Sequence, residues 1–374
     1  MNLEKIKIPQ ELHPSDPRFG VGPSLIPVKY LEKLAKTGTD LLGTSHRKPA
    51  VKKLVKELQE NLREYFQVPS DYEIVIGNGG ATFLWDMIGL GLVQKQSHHY
   101  VCGEFSQKWF KAHQKIPWIA SEESRVDFGE GINPEYHQGC DLIACTLNET
   151  STGVQLNQVP ANDSSALMCM DATSGAGQIQ VDLKKIDLYY FSPQKVLAGE
   201  GGLYFAFMSP AAIERSERIA SEKRYIPVIM DWKLAIDNAR SNQTYNTPSV
   251  SNLFLVNEQV KSMLDFGGQN SVCQEAERKA QFIYQWAENH PHLSPYVQNP
   301  EFRSRSVATI NVSEQYQVSQ MVQYLRDEKI IYDIDAYRKL GQNQFRISLF
   351  HNVSYENLQK LTQCIDYLLK NLSA

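Results

Sequence analysis

The chain has 374 residues, 42% of them hydrophobic and 21% charged, and a formal net charge of −4. That balance excludes a disordered or fibrous chain and leaves room for about two globular domains. With no long basic run, it also excludes nucleic acid as the main partner.

Six cysteines, Cys102, Cys140, Cys145, Cys169, Cys273 and Cys364, are scattered through apolar segments without metal-ligand spacing, so no metal is expected. They read as buried free thiols of a reducing compartment. The opening Met-Asn-Leu-Glu-Lys-Ile carries no apolar signal core. No apolar run is long enough to span a bilayer. The expected location is the cytoplasm, with no membrane partner.

Residues 1–30 are rich in Pro and Gly, and Phe19-Gly-Val-Gly22-Pro23-Ser24 predicts an extended arm with tight turns. Helical periodicity covers 28–41. The loop Gly43-Thr-Ser-His46-Arg47-Lys48-Pro49 groups three basic-capable residues, and an amphipathic helix follows over about 50–66. Residues 72–76 predict a strand that runs through Gly77-Asn-Gly-Gly80-Ala81-Thr82 into a helix. Free N–H groups and the helix dipole at such a turn suit a phosphate. The same pattern also serves as a plain strand-to-helix turn.

His99–Cys102 predicts a strand leading through Gly103-Glu104-Phe105 into a helix. Residues 140–147 predict a strand that ends in Asn148-Glu-Thr150-Ser-Thr-Gly153. Three further apolar runs follow: one ending at Asp171, one at Leu188–Phe191 leading to Gln194-Lys195, and one at Leu203–Met208. Strands alternating with helices predict a layered, largely parallel α/β sheet. In such a sheet, functional side chains gather at the carboxyl ends of the strands. Asp171 and Lys195 arrive there from runs close in sequence, so they can face one ligand. Pyridoxal phosphate is the cofactor that needs this pair: the amine holds its aldehyde as a Schiff base, and the carboxylate keeps its ring nitrogen protonated. Taken singly, such an Asp is as readily a cap or turn residue, and such a Lys a solvated charge.

Residues 210–240 read as helical, 242–249 as a polar loop, and 250–291 as a long helical region interrupted at Gly267-Gly268. The texture then changes. Strands are expected at Ser306–Val312, Ile330–Ile334 and Phe345–Phe350, and helices at Tyr316–Glu328 and Tyr355–Leu372. The predicted division is an N-terminal arm over 1–17, a large domain over 18–255 and a smaller α+β domain over 256–374.

From about Arg18 to the C-terminus the chain resembles the fold-type I, class-V aminotransferases that depend on pyridoxal phosphate. Within them it is most similar to the phosphoserine aminotransferase branch of actinobacterial type. The motifs that carry the likeness are Gly22-Pro23-Ser24, Gly43-Thr-Ser-His46-Arg47, Gly77-Asn-Gly-Gly-Ala-Thr82, Asn148-Glu-Thr150-Ser-Thr-Gly153, Asp171-Ala-Thr-Ser-Gly-Ala-Gly177, Pro193-Gln-Lys195, Asn242-Gln-Thr-Tyr-Asn-Thr-Pro248 and Tyr337-Arg-Lys-Leu-Gly. The resemblance implies an amino transfer from L-glutamate to 3-phosphohydroxypyruvate in serine biosynthesis. Related members also aminate a phosphorylated hydroxy-oxobutanoate on the route to vitamin B6.

The resemblance also implies roles. Lys195 would bind the cofactor and carry the proton, Asp171 would pair with the ring nitrogen, and Thr150 would bond the phenolic oxygen. Phe105 stands where relatives carry a stacking Trp. Gly80, Ala81 and Thr82, with Gln194 and Ser174, would hold the cofactor phosphate. Asn246 and Thr247 would reach it from the other subunit, which makes a homodimer obligatory. Arg346 would bind the substrate α-carboxylate, and His46, Arg47, Arg338 and Lys339 its distal anion. The chain departs from the better-known branch at Tyr337, where others have His, and in a longer loop between Arg338 and Arg346. Alternatives are an alanine–glyoxylate aminotransferase or a cysteine desulfurase of the same fold, and a cofactor-binding protein without turnover.

Overall fold

A computed structural model describes residues 3–160 and 165–372; the outermost residues of the expected arm and of the C-terminal domain lie outside the described residues. Helix α1, Val28–Lys36, stops short of the expected 41 and gives way to a tight turn at Gly38–Asp40. Helix α2, Pro49–Phe66, starts on a proline, whose missing N–H costs nothing at that position. Its apolar face, Val51, Leu54, Val55, Leu58 and Leu62, is buried.

Strand β1, Glu73–Asn78, leads into α3, Ala81–Gly91, and β2, Gln96–Val101, leads into α4, Glu104–His113. Next come β3, Ala120–Arg125, β4, Leu142–Thr146, and a small hairpin of β5, Asn148–Glu149, and β6, Val154–Gln155. Strands β7, Leu167–Asp171, β8, Leu188–Phe191, and β9, Leu203–Met208, complete the large sheet. Its order is β1-β9-β8-β7-β4-β2-β3. Only β9 runs against its neighbours; the pairs β8·β7, β7·β4, β4·β2 and β2·β3 are parallel. Strands β4, β7 and β8 are wholly buried, as parallel strands covered on both faces are, and so is the antiparallel β9.

Helices α5, Pro210–Ser221, α6, Trp232–Arg240, α7, Val250–Asp265, and α8, Gly268–Asn289, follow. A three-stranded antiparallel sheet is made by β10, Leu293–Pro295, β11, Val307–Val312, and β12, Gln344–Ser348. Helix α9, Val318–Asp327, and helix α10, Tyr355–Leu372, pack on it. Leu3, Ile8 and Phe19 from the start of the chain are buried in this same C-terminal core.

Two differences from expectation have clear causes. Strand β3 reads Ala-Ser-Glu-Glu-Ser-Arg, a polar edge strand with no apolar alternation to reveal it. The strand expected at Ile330–Ile334 is reduced to isolated bridges, Arg18 with Tyr332 and Asp335 with Phe345. Left-handed backbone at Lys329 (φ 59°) and Asp333 (φ 64°) turns the chain before a ladder can form.

Candidate active site

The carboxyl ends of β1, β2, β4, β7 and β8 lie along one edge of the large sheet, and each ends in polar or glycine-rich chain. Together they line a cavity of about 410 Å³ that holds Gly80, Ala81, Thr82, Phe105, Thr150, Asp171, Ser174, Gln194 and Lys195. Every cofactor-contact residue expected from one chain is therefore in one place. Asn246 and Thr247 are not.

Lys195 is buried, and its Nζ donates to Val21 O at 3.0 Å and to Thr150 Oγ1 at 3.2 Å. Burial, with the Arg346 charge adding to it, pushes the ammonium down to about 7. A free amine is then present near neutral pH, which a lysine nucleophile needs. Gly22 makes this possible. It has φ +131°, and a Cβ there would come within 2.7 Å of Lys195 Cε.

Asp171 lines the same cavity. The Thr173 N–H donates to Oδ1 at 2.9 Å and the Trp85 indole donates to Oδ2 at 3.3 Å. Burial pushes its carboxyl up from the ordinary range, and these donors pull against it. Trp85 and Thr173 escaped the sequence reading as site residues. Thr173 stands two residues after the carboxylate, the spacing of an Asx turn, and that was the available signal.

The first turn of α3 faces the cavity with Ala81 and Thr82, whose N–H groups have no intrahelical acceptor. Gly80 caps it at φ +111°. Gln194 Oε1 and Thr173 Oγ1 are buried and without a partner. Ser174 is already engaged: its Oγ donates to Asn148 O at 2.8 Å and accepts from Asn148 Nδ2 at 2.9 Å. Phe105 lies in the first turn of α4, with its ring centroid 5.7 Å from Lys195 Nζ. Buried Glu149 fixes that helix end, accepting from the N–H groups of Phe105 at 3.1 Å and Ser106 at 3.0 Å.

A second cavity, of about 590 Å³, shares Gly22 and Pro23 with the first and is lined by Tyr337, Arg338, Lys339 and Arg346. Arg346, on β12, donates from Nη1 to Thr150 O at 3.3 Å, and its buried Nε has no partner. Tyr337 lies over it, 5.4 Å from guanidinium carbon to ring centroid. A guanidinium with unused N–H groups at a cavity wall suits a carboxylate.

His46, Arg47, Asn246 and Thr247 line neither cavity. His46 and Thr247 face each other, Nδ1 to Oγ1, at 3.1 Å, and Asn78 Nδ2 donates to Thr247 O at 2.7 Å. Arg47, Asn246 and Thr247 are exposed. Burial, with the charge of Arg47, lowers the His46 imidazole from its ordinary value. None of the six cysteines lines either cavity. Among the described residues, no helix is long and apolar enough to cross a membrane.

The family model for aminotransferase class-V matches residues 19–361. A phosphoserine aminotransferase of a Nocardioides species is 42% identical over 373 residues, spanning 99% of this chain and 100% of that protein. One from Corynebacterium glutamicum is 41% identical and covers 97% of this chain and 96% of its own. The crystal structure of a phosphoserine aminotransferase from Cytophaga hutchinsonii superposes with a TM-score of 0.87 at 25% identity, over 94% of this chain and 99% of that one.

Proposed function

The chain belongs to the class-V aminotransferase family, whose cofactor is pyridoxal phosphate, and on that premise we propose that it moves the amino group of L-glutamate onto 3-phosphohydroxypyruvate. The products are O-phospho-L-serine and 2-oxoglutarate. One observation carries this reading. A cavity lined by both a lysine and a carboxylate adjoins a second cavity lined by four cationic side chains: Arg326, which is paired with Asp333 and Asp335, and Arg338, Lys339 and Arg346.

The residues present fit the cofactor. The Gln194 amide, the Thr173 hydroxyl, the open first turn of α3 and the Lys195 and Asp171 side chains supply the donors and acceptors that a flat, phosphorylated aromatic aldehyde needs. Gly80, Ala81, Thr82 and Gln194 would hold its phosphate. Ser174 supports that wall through Asn148. Phe105 would cover one face of the ring, and Thr150 and Asp171 would bind its polar edges. The bound cofactor supplies an electron sink that makes the substrate α-proton removable. Lys195 Nζ, pushed down to about 7, takes that proton from the substrate Cα. Arg346 holds the α-carboxylate, so the Cα–H is presented to the lysine. Arg338 and Lys339 face the distal anion.

His46, Arg47, Asn246 and Thr247 line neither cavity, and all but the buried His46 are exposed. This supports their serving the site of a second copy across a homodimer. Six free cysteines suit a cytoplasmic location.

The test offers 3-phosphohydroxypyruvate and glyoxylate in competition to enzyme charged with L-glutamate. Preference for the phosphorylated acid is expected. Preference for glyoxylate would favour the alanine–glyoxylate reading, which has no use for Arg338 and Lys339.

A further inference from the structure

Glu104 opens α4, one residue before Phe105, and is otherwise unused by the site. Its Oε1 accepts from Lys339 Nζ at 3.1 Å and lies 3.4 Å from Lys108 Nζ. Lys108 also donates to the Tyr337 hydroxyl at 3.0 Å and sits 5.0 Å above the Phe105 ring. The Phe105 and Tyr337 rings are 5.7 Å apart. The segment that carries Tyr337, Arg338 and Lys339 is thus tied to the start of α4 through one carboxylate shared by two lysines. The carboxylate is the least exposed of the three: its side chain is 12% accessible, against 35% for Lys108 and 64% for Lys339. Burial opposes its ionisation, but the two ammonium groups hold the carboxyl below its usual range.

The charge count at the second cavity gives this arrangement a consequence. Arg326 is occupied by Asp333 at 2.8 Å and Asp335 at 3.2 Å. Arg338 and Arg346 have no carboxylate partner among the described ion pairs. Lys339 lines the cavity but is half-neutralised from behind. A transaminase of this kind must bind a distal carboxylate, near −1, and a distal phosphate, near −2, by turns at the same place. Each must also leave.

We propose that Glu104 is a specificity-determining residue: shared between Lys339 and Lys108, it lowers the positive charge of the distal-anion subsite so that phosphate and carboxylate substrates are bound with comparable strength and both are released. This rests on the phosphorylated-substrate reading above. Removing the Glu104 charge strengthens attraction in proportion to ligand charge, so the phosphorylated ligand gains about twice as much free energy as the carboxylate.

The test is steady-state kinetics of Glu104→Gln and Lys339→Met at low and high salt. In E104Q the KM for 3-phosphohydroxypyruvate should fall about fivefold and that for L-glutamate about twofold, the scale of an exposed ion pair. Both changes should shrink as salt rises, and kcat should fall with slower release of phosphoserine. K339M should move both KM values the opposite way. If Glu104 were only a strap, E104Q would raise both KM values together, and that result overturns the proposal, as does an equal fall in both. Inhibition of the glutamate half-reaction by inorganic phosphate against acetate reads the same charge dependence without assuming the acceptor. A failure there rejects the role of Glu104, whereas a wild-type preference for glyoxylate rejects the functional reading.

Discussion

At the scale of single residues, the chemistry depends on the protonation of Lys195. In the folded, cofactor-free chain its amine loses the proton near pH 7, whereas an unfolded lysine keeps it to about 10.5. Between those values the unfolded state binds the extra proton, so this residue makes stability rise with pH, by at most about 1.4 kcal/mol per unit. Below about pH 7 the full cost of burying the group is present. Denaturant titrations of cofactor-free protein should show Lys195→Met more stable than wild type at pH 7, with the gap closing toward pH 10; a constant gap would contradict the burial argument. Asp171→Asn keeps the shape and removes the charge. A single-turnover reaction with L-glutamate should slow by about a hundredfold or more, and an unchanged rate would take Asp171 out of the chemistry. Both residues were legible in the sequence because each ends an apolar run. Trp85 was not, since a tryptophan inside an apolar helix reads as core, and only the fold turns its indole onto Asp171.

At the scale of elements, backbone shape decides what the side chains can reach. The loop through Gly22 passes so close to Lys195 that a methyl group would meet the side chain, and φ +131° disfavours any other residue there. Gly22→Ala should cost about 1–3 kcal/mol of local strain and weaken cofactor binding at least tenfold, measured by equilibrium titration of cofactor-free protein. Wild-type affinity in that variant would mean that the loop yields. The glycine-rich turns before α3 and α4 were readable because Gly punctuates strand-to-helix junctions. Polar β3 was not, because edge strands owe their pairing to a neighbour rather than to their own pattern. The lost strand at 330–334 has the same lesson in reverse: its apolar residues fill a core, but the chain turns at Lys329 and Asp333.

At the scale of the whole molecule, each cavity is completed by material from distant parts of the chain: the first by five strand ends, the second by the N-terminal loop and the segment around Tyr337. The resemblance already implied that Asn246 and Thr247 serve the other subunit; that His46 and Arg47 also line neither cavity of their own chain was not foreseen. If these residues serve a second copy, Asn246→Ala should weaken cofactor binding, and mixing it with Lys195→Ala subunits should restore activity in hybrid dimers, which hold one site without either change. No recovery on mixing would place Asn246 in its own chain's site or in none.

The central claim is that the Lys195 amine is the group that holds the cofactor. Borohydride reduction of the cofactor-loaded protein, followed by peptide mass mapping, tests it most directly. The account predicts one pyridoxyl adduct per chain, on Lys195. An adduct on another lysine, with Lys195 unmodified, would contradict it.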